Sequence, residues 1–241
     1  MSFITLLLVV LIQLYCIKHH RSWVDVIFGK VVGWVLPKIT FLEEYHRYIA
    51  LLALILPVIV VTAIAILLVS FVAGPGGWSL LAFLVAFSVM NVYVLSCEKS
   101  DTPRIFLLAE RQIFSLMFWF CILGIQGLLA MAFIEYIARE SVFNEHPKVQ
   151  QAAEQLQGWL VWIPQRLMGL SFALVGHFTV AVKDLKATLW CSWQDSCDYS
   201  AKVGEAALYE DKSPAACQRL ITHSIWVWLG VLALISLFSI Y

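Results

Sequence analysis

The sequence predicts an all-α, polytopic membrane protein with four to six membrane-embedded helices and further amphipathic helices at the interface. Hydrophobic residues make up 61% of the 241 residues and charged residues only 13%, which is too few charges for a soluble domain of this length. Apolar runs long enough to cross a bilayer recur along the chain. The ten tryptophans suit anchoring at the membrane interface. The net charge of zero indicates neither a nucleic-acid partner nor an acidic substrate, and no nucleic-acid partner is expected.

The first three predicted segments lie before residue 74. Residues 1–17 are almost wholly apolar and precede Lys18 and Arg21, the reverse of a signal peptide, so we expect a retained short span or anchor. Residues 22–36 predict an interfacial helix that ends at Pro37, because large apolar side chains recur there at helical spacing as a stripe: Trp23, Ile27, Val31, Trp34 and Val35. Residues 49–73 form the clearest predicted span.

A glycine- and proline-rich turn at 74–77 predicts that residues 78–95 return as a second span. The next predicted span is 112–134. Residues 183–223 are polar and predict short helices, one of them starting at Pro214, and residues 224–241 predict the C-terminal span. Lysine and arginine are concentrated in 18–48, 96–111 and 183–223, which we expect on the cytoplasmic side, with 74–77 and 135–155 outside, if the stretch 156–182 crosses the membrane. If that stretch is instead re-entrant or interfacial, 183–223 would lie outside.

The stretch 156–182 is apolar but contains Pro164 and Arg166, so it predicts a broken span or a re-entrant segment. Because proline disfavours a helical residue before it, we expect a helix to begin at Pro164. Arg166 would then lie in the first turn, where open N–H groups and a guanidinium converge on an anion. His177 is eleven residues further on and would share that face, about 16 Å along the axis.

An arginine within a span is unfavourable by roughly 2.5–3.5 kcal/mol, so Arg166 must face protein, water or a ligand. Either Glu110 or Glu135 could pair with it as scaffold. The alternative is an exogenous anion. The predicted anion-binding residues are Pro164, Arg166, His177, Glu110 and Arg111. Neither catalytic residues nor a cofactor is predicted.

The cysteines favour neither a disulfide framework nor a metal site. The six residues form no CxxC pair. Cys191, Cys197, Cys217 and His223 could together supply four zinc ligands, but their gaps are longer than usual zinc spacings. Ordinary thiols are therefore favoured and no metal is predicted.

The segment IPQRLMGLSFALVGHF at 163–178 resembles the AmpE family of inner-membrane proteins, which carry a Pro-x-Arg-Leu turn followed by an Ala-Leu-x-Gly segment. The start MSFITLLLVVLIQLY, the run ERQIFSLMFWFCILGIQG at 110–127 and the C-terminal apolar run extend the resemblance. It implies a multi-pass bacterial inner-membrane signalling protein linked to β-lactamase induction, cell-wall stress and antibiotic resistance. It also implies possible partners: membrane lipids, an anionic lipid-like or cell-wall-derived ligand, a second copy, or a component of the AmpD pathway.

The AmpE family is similar in turn to the adenosylcobinamide-phosphate synthases of cobalamin biosynthesis, which carry an Ile-Pro-Ala-Arg-Leu motif. In this chain the motif is matched by Ile163, Pro164, Arg166 and Leu167. The synthases have an acidic pair shortly before that motif, whereas in this chain those positions fall near Gln157 and Gly158. An amide-forming reaction needs such acid/base and metal-binding groups, so a non-enzymatic role is favoured. An amide-forming synthase is the alternative, and a lipid or small-solute carrier is a third.

Overall fold

The computed structural model describes residues 2–15, 22–90, 101–140, 143, 146–188, 199–209, 211 and 213–238, and these are almost entirely helical with no strands. The predicted all-α class is confirmed. The helices are α1 Ser2–Tyr15, α2 Ser22–Tyr45, α3 Arg47–Val89, α4 Thr102–Ala109, α5 Ser115–Leu123, α6 Ile125–Arg139, α7 Pro147–Val175, α8 Phe178–Thr188, α9 Tyr199–Leu208 and α10 Pro214–Phe238. A π-helical turn, Glu110–Phe114, joins α4 to α5.

Four helical stretches within the described residues are long and apolar enough to cross a membrane. They are Arg47–Val72, Thr102–Leu123, Pro147–Val175 and Pro214–Ser236. Two shorter apolar helices, Ile4–Leu14 and Gly77–Val89, accompany them. This number agrees with the predicted four to six embedded helices.

The chain divides into two compact units. Unit 1 comprises Met1–Val9, His19–Asn91 and Trp119–Gln157, and unit 2 comprises Val10–Lys18, Val92–Phe118 and Gly158–Tyr241.

In unit 1, α2, α3 and α6 pack together. The ring of Phe28 on α2 meets Phe133 and Tyr136 on α6 edge-on, with ring centroids 5.0 and 5.7 Å apart. Next to these rings, Arg139 forms an ion pair with Asp25 at 3.1 Å. An aromatic contact and an exposed ion pair therefore fix the same two helices.

The apolar face of α2 lies one residue away from the predicted one. Residues spaced three or four apart along the helix are buried: Val24, Phe28, Val32, Val35 and Leu36. The predicted stripe included Ile27 and Trp34, which are 49% and 65% exposed. The helix also continues through Pro37 to Tyr45, since packing on α3 offsets the hydrogen bond that proline removes.

The break predicted at 74–77 is confined to one non-helical residue, Gly74. Gly74 has φ 62° and ψ −160°, a conformation that favours glycine, and the residues directly before and after it are helical. The predicted span 112–134 is likewise interrupted by Gly124 at φ 66°. Its helix begins earlier, at Thr102, because Glu110 and Arg111 are accommodated inside a helical segment instead of ending in a loop.

Unit 2 is built around α9, which lies in the stretch predicted as a polar loop. It packs against α4, α8 and α10. Phe106 of α4 covers Gly204 so closely that a Cβ there would lie 2.7 Å from the ring. The start of α10 is as predicted: Pro214 is its first residue, and the Ser213 hydroxyl accepts a hydrogen bond from the Ala216 N–H at 3.2 Å.

The close approach at Gly204 predicts a steric asymmetry between two helical glycines. Gly204→Ala should lower the free energy of unfolding by about 1–3 kcal/mol, because the buried Phe106 ring must shift. Gly230→Ala on α10 meets nothing within 4 Å and should be neutral or stabilise by up to about 1 kcal/mol. Unfolding of the two purified variants in detergent measures both changes. Equal loss in the two would contradict the packing of α9 on α4.

Candidate polar site in unit 2

The site forms where α7 passes the π-turn, and α7 differs there from the prediction. The helix runs without interruption from Pro147 to Val175, through Pro164. Pro164 is buried and Ile163 is exposed, so the proline ring faces the protein interior. The expected helix start at Pro164 is wrong, because packing of α7 outweighs the single hydrogen bond that proline removes. The helix N-terminus therefore contributes nothing to an anion site at Arg166.

His177 also departs from the prediction. Helix α7 ends at Val175, and Gly176 and His177 form the link to α8, so His177 does not share a helical face with Arg166. A Cβ on Gly176 would lie 2.5 Å from the Ala207 carbonyl oxygen, so α9 approaches too closely for the helix to continue with a side chain. His177 is exposed; its backbone N–H donates to Ala207 O at 2.9 Å, and its ring lies 5.2 Å from that of Tyr209.

Three side chains form what we call the polar bridge: Glu110, Gln165 and Arg166. The Gln165 Nε2 group donates to Glu110 Oε2 at 3.2 Å, and the Arg166 Nη1 group donates to Gln165 Oε1 at 3.0 Å. Glu110 and Gln165 are only 4% and 1% exposed. Because carboxylates accept and guanidinium groups donate, one orientation of the Gln165 amide satisfies both neighbours. Gln165 thus links the two charged groups, which the sequence predicted would pair either directly or not at all.

Aromatic rings hold the guanidinium of Arg166. Its Cζ atom lies 4.4 Å from the ring centroid of Trp162 and 4.8 Å from that of Tyr199. Arg166 Nη1 also donates to the Trp162 carbonyl oxygen at 3.4 Å, one turn back along α7. Cation–π contacts of this kind gain strength when they are removed from water. The arginine is partly buried, so part of the residue remains accessible to solvent.

Glycine at position 169 allows the second of these rings to approach. A Cβ on Gly169 would lie 2.8 Å from Cε1 and the hydroxyl oxygen of Tyr199, whose ring is 2% exposed. Small residues at such positions let a second helix come close to the first. Nothing in the sequence identifies Tyr199 as the residue that approaches Gly169.

The carboxylate of Glu110 sits on the π-turn. The Ser115 N–H donates to the Glu110 carbonyl, the i→i+5 bond that defines the turn. Arg111 and Arg166 are both near enough to interact electrostatically with the carboxylate, and Ser200 on α9 lies beside it. Within the described part of the chain, Gln112 Oε1 and Ser115 Oγ are buried without hydrogen-bond partners. Single π-turns inside α-helices are frequent at functional sites.

The structure therefore brings together Glu110, Arg166 and the neighbouring Pro164, places Arg111 within electrostatic range, and leaves His177 at the α7–α8 link. Sequence reasoning missed Gln165, Trp162 and Tyr199. A signal for Gln165 was present, since a polar residue within an apolar span usually faces protein. Tyr199 belongs to a helix that the sequence did not distinguish from its polar surroundings. The described residues hold no cluster of three or more metal-binding side chains.

Removal of the Gln165 amide should destabilise the fold, because the amide hydrogen-bonds to both Glu110 and Arg166. We expect Gln165→Leu to lower the free energy of unfolding by about 1–3 kcal/mol, because the Glu110 carboxylate loses a hydrogen-bond donor. Gln151→Leu is the control, since Gln151 lies on the same helix and is exposed. Unfolding in detergent measures both variants. A Gln165 variant as stable as the Gln151 variant would show that the polar bridge does not stabilise the fold.

Comparison with known proteins agrees with the resemblance seen in the sequence. The family model described as "Regulatory signalling modulator protein AmpE" matches residues 102–237, more than half of the chain. The match runs from the start of α4 almost to the end of α10 and includes the whole polar bridge. No curated protein and no solved structure matches the chain. The described part of the chain has four helices able to cross a membrane, so this is a regulatory membrane protein, and it belongs to the AmpE family of regulatory signalling modulators.

Proposed function

We propose that this chain is a multi-pass inner-membrane regulator that binds an anionic ligand at Arg166 and thereby modulates β-lactamase induction. The observation that carries the proposal is the polar bridge itself, which joins two candidate membrane spans, Thr102–Leu123 and Pro147–Val175. Membership of a family of regulatory signalling modulators supports the regulatory role. Buried ionisable groups within spans are unfavourable, and they are retained chiefly where they serve a function.

The chemistry of Arg166 supports an anionic ligand. Arg166 is partly exposed and its guanidinium contacts two aromatic rings, which restrict its position before a ligand arrives. A guanidinium offers donors in a rigid, planar arrangement that matches the two oxygens of a phosphate or carboxylate. Pre-ordering of this kind lowers the entropic cost of binding.

The connection from Arg166 to Glu110 supports a signalling mechanism. An anion that draws the guanidinium outward weakens its hydrogen bond to Gln165 Oε1, and this changes the position of the amide that donates to the Glu110 carboxylate. Glu110 lies on the π-turn, so a change at Arg166 reaches the backbone of a second span through two hydrogen bonds. A ligand shifts such an equilibrium only through different affinities for the two arrangements.

The proposal predicts a specific failure of Arg166→Lys. Lysine keeps the positive charge but lacks the planar set of donors, so the variant should insert normally yet reduce β-lactamase induction about ten-fold, as a loss of about 1.4 kcal/mol of binding would. Arg166→Glu should instead lower the amount of protein in the membrane. Induction is measured in an inducible strain that lacks its own copy and carries each variant.

Arg104→Lys is the matched control, because Arg104 is exposed on α4 and is not in the polar bridge. It should induce like the unaltered chain. Normal induction by Arg166→Lys at equal protein level would show that the guanidinium geometry is dispensable, and the proposed ligand site would then be wrong.

A further inference from the structure

The surface beside Arg166 carries a row of exposed apolar side chains that the polar bridge does not use. Ile163, Leu167, Leu170 and Leu174 of α7 are between 41% and 59% exposed and recur at intervals of three or four residues. We call them the exposed stripe. At 100° per residue, Arg166 projects from the helix next to Ile163 and Leu170, so the cation borders the stripe.

The two ends of this surface differ in polarity. Residues 147–157 at the start of α7 contain Lys148, Glu154 and four glutamines, and the exposed Trp159 follows. The Arg166 guanidinium is directed back toward this end, because it donates to the Trp162 carbonyl and stacks on the Trp162 ring. Tryptophan marks membrane interfaces, and long cationic side chains extend toward them. From Leu167 to Leu174 the stripe continues in the opposite direction for about 10 Å.

We propose that the ligand of Arg166 is a lipid with a phosphate headgroup, whose chain lies along the exposed stripe. This inference rests on the proposed function and identifies the chemical class of its ligand. The phosphate contacts the guanidinium at the end marked by Trp162, and the hydrocarbon chain covers Leu167, Leu170 and Leu174 toward the end of α7. Charge and apolar surface are then matched along one face of one helix.

A lipid phosphate is favoured over other ligands because it matches both the charge of Arg166 and the apolar surface of the exposed stripe. A free phosphate would use the guanidinium and leave the stripe without a role in affinity. A neutral lipid would cover the stripe and gain nothing from the cation. A lipid phosphate uses both, and its two parts follow the order of polarity along α7. Its chain remains in hydrocarbon while its headgroup gains charge-assisted hydrogen bonds.

Binding of three probes to the purified full-length chain tests this assignment. The probes are dioleoyl phosphatidate, dioleoylglycerol, which has the same chains and no phosphate, and inorganic phosphate, with bound lipid counted by native mass spectrometry. We expect phosphatidate to bind about ten-fold or more tightly than dioleoylglycerol, the ratio that one charge-assisted contact supplies. Inorganic phosphate should not displace it.

Two pairs of variants separate headgroup from chain. Arg166→Gln should reduce phosphatidate binding to the level of dioleoylglycerol, whereas Arg219→Gln, at an exposed arginine on α10, should leave it unchanged. Leu170→Ala with Leu174→Ala should weaken both lipids, and Leu234→Ala with Ile235→Ala, equally exposed on α10, should not. The leucine pair is exposed and is not part of the polar bridge, so it remains informative if Arg166→Gln does not fold.

Displacement of phosphatidate by inorganic phosphate would overturn the proposal, because the site would then recognise a free anion. Equal affinity of the two lipids, or equal effects of the Arg166 and Arg219 variants, would overturn it as well. The induction assay distinguishes this failure from failure of the proposed function. If Arg166→Lys loses induction but the chain does not bind the lipid selectively, only the lipid assignment is wrong. If the chain binds the lipid selectively but Arg166→Lys induces normally, only the proposed regulatory role is wrong.

Discussion

The Gln165 amide is the group on which the rest of unit 2 depends, because it lies between a buried carboxylate and a guanidinium within apolar helices. A charge in such surroundings is strongly unfavourable unless hydrogen bonds or opposite charge offset it. Gln165 offers its donor to Glu110 and its acceptor to Arg166, so one neutral side chain satisfies both. Direct ion pairing would hold the two charges more rigidly, whereas an amide between them can exchange partners. That difference is what suits the arrangement to a regulatory protein.

Several features of the surrounding backbone follow from the need to bring these three groups together. Helix α7 continues through Pro164, which keeps Gln165 and Arg166 on a rigid element with the proline ring packed inward. Gly169 lets the Tyr199 ring of α9 approach closely enough to stack on the guanidinium. The π-turn carries Glu110 on the opposite span and adds one residue to the helical repeat there. Each of these departures from regular helix packing lies at the polar bridge or in contact with it.

The sequence predicted what depends on local composition and failed where distant segments decide the outcome. The all-α class, the break at Gly74 and the helix start at Pro214 follow from hydrophobicity, glycine and proline, and all three are present. The helix start at Pro164 and the position of His177 were wrong, because tertiary packing overrides proline's local preference and α9 ends α7 at Gly176. From charge alone, the sequence indicated Glu110 and Glu135 as the two candidate protein partners of Arg166 and left the choice open. The Gln165 amide between Glu110 and Arg166 could not be predicted, since nothing in the sequence indicates that Gln165 faces Glu110, fifty-five residues away.

A double-mutant cycle between Glu110 and Arg166 tests the central claim most directly, when it is measured with and without Gln165. The free energies of unfolding of Glu110→Gln, Arg166→Lys and the double variant are compared in mixed detergent micelles. If Gln165 transmits the interaction, the two substitutions should be non-additive by about 0.5–3 kcal/mol, and the coupling should fall below about 0.5 kcal/mol in a Gln165→Leu background. Additive effects in the chain that retains Gln165 would contradict the account, and so would a coupling that persists unchanged after the amide is removed.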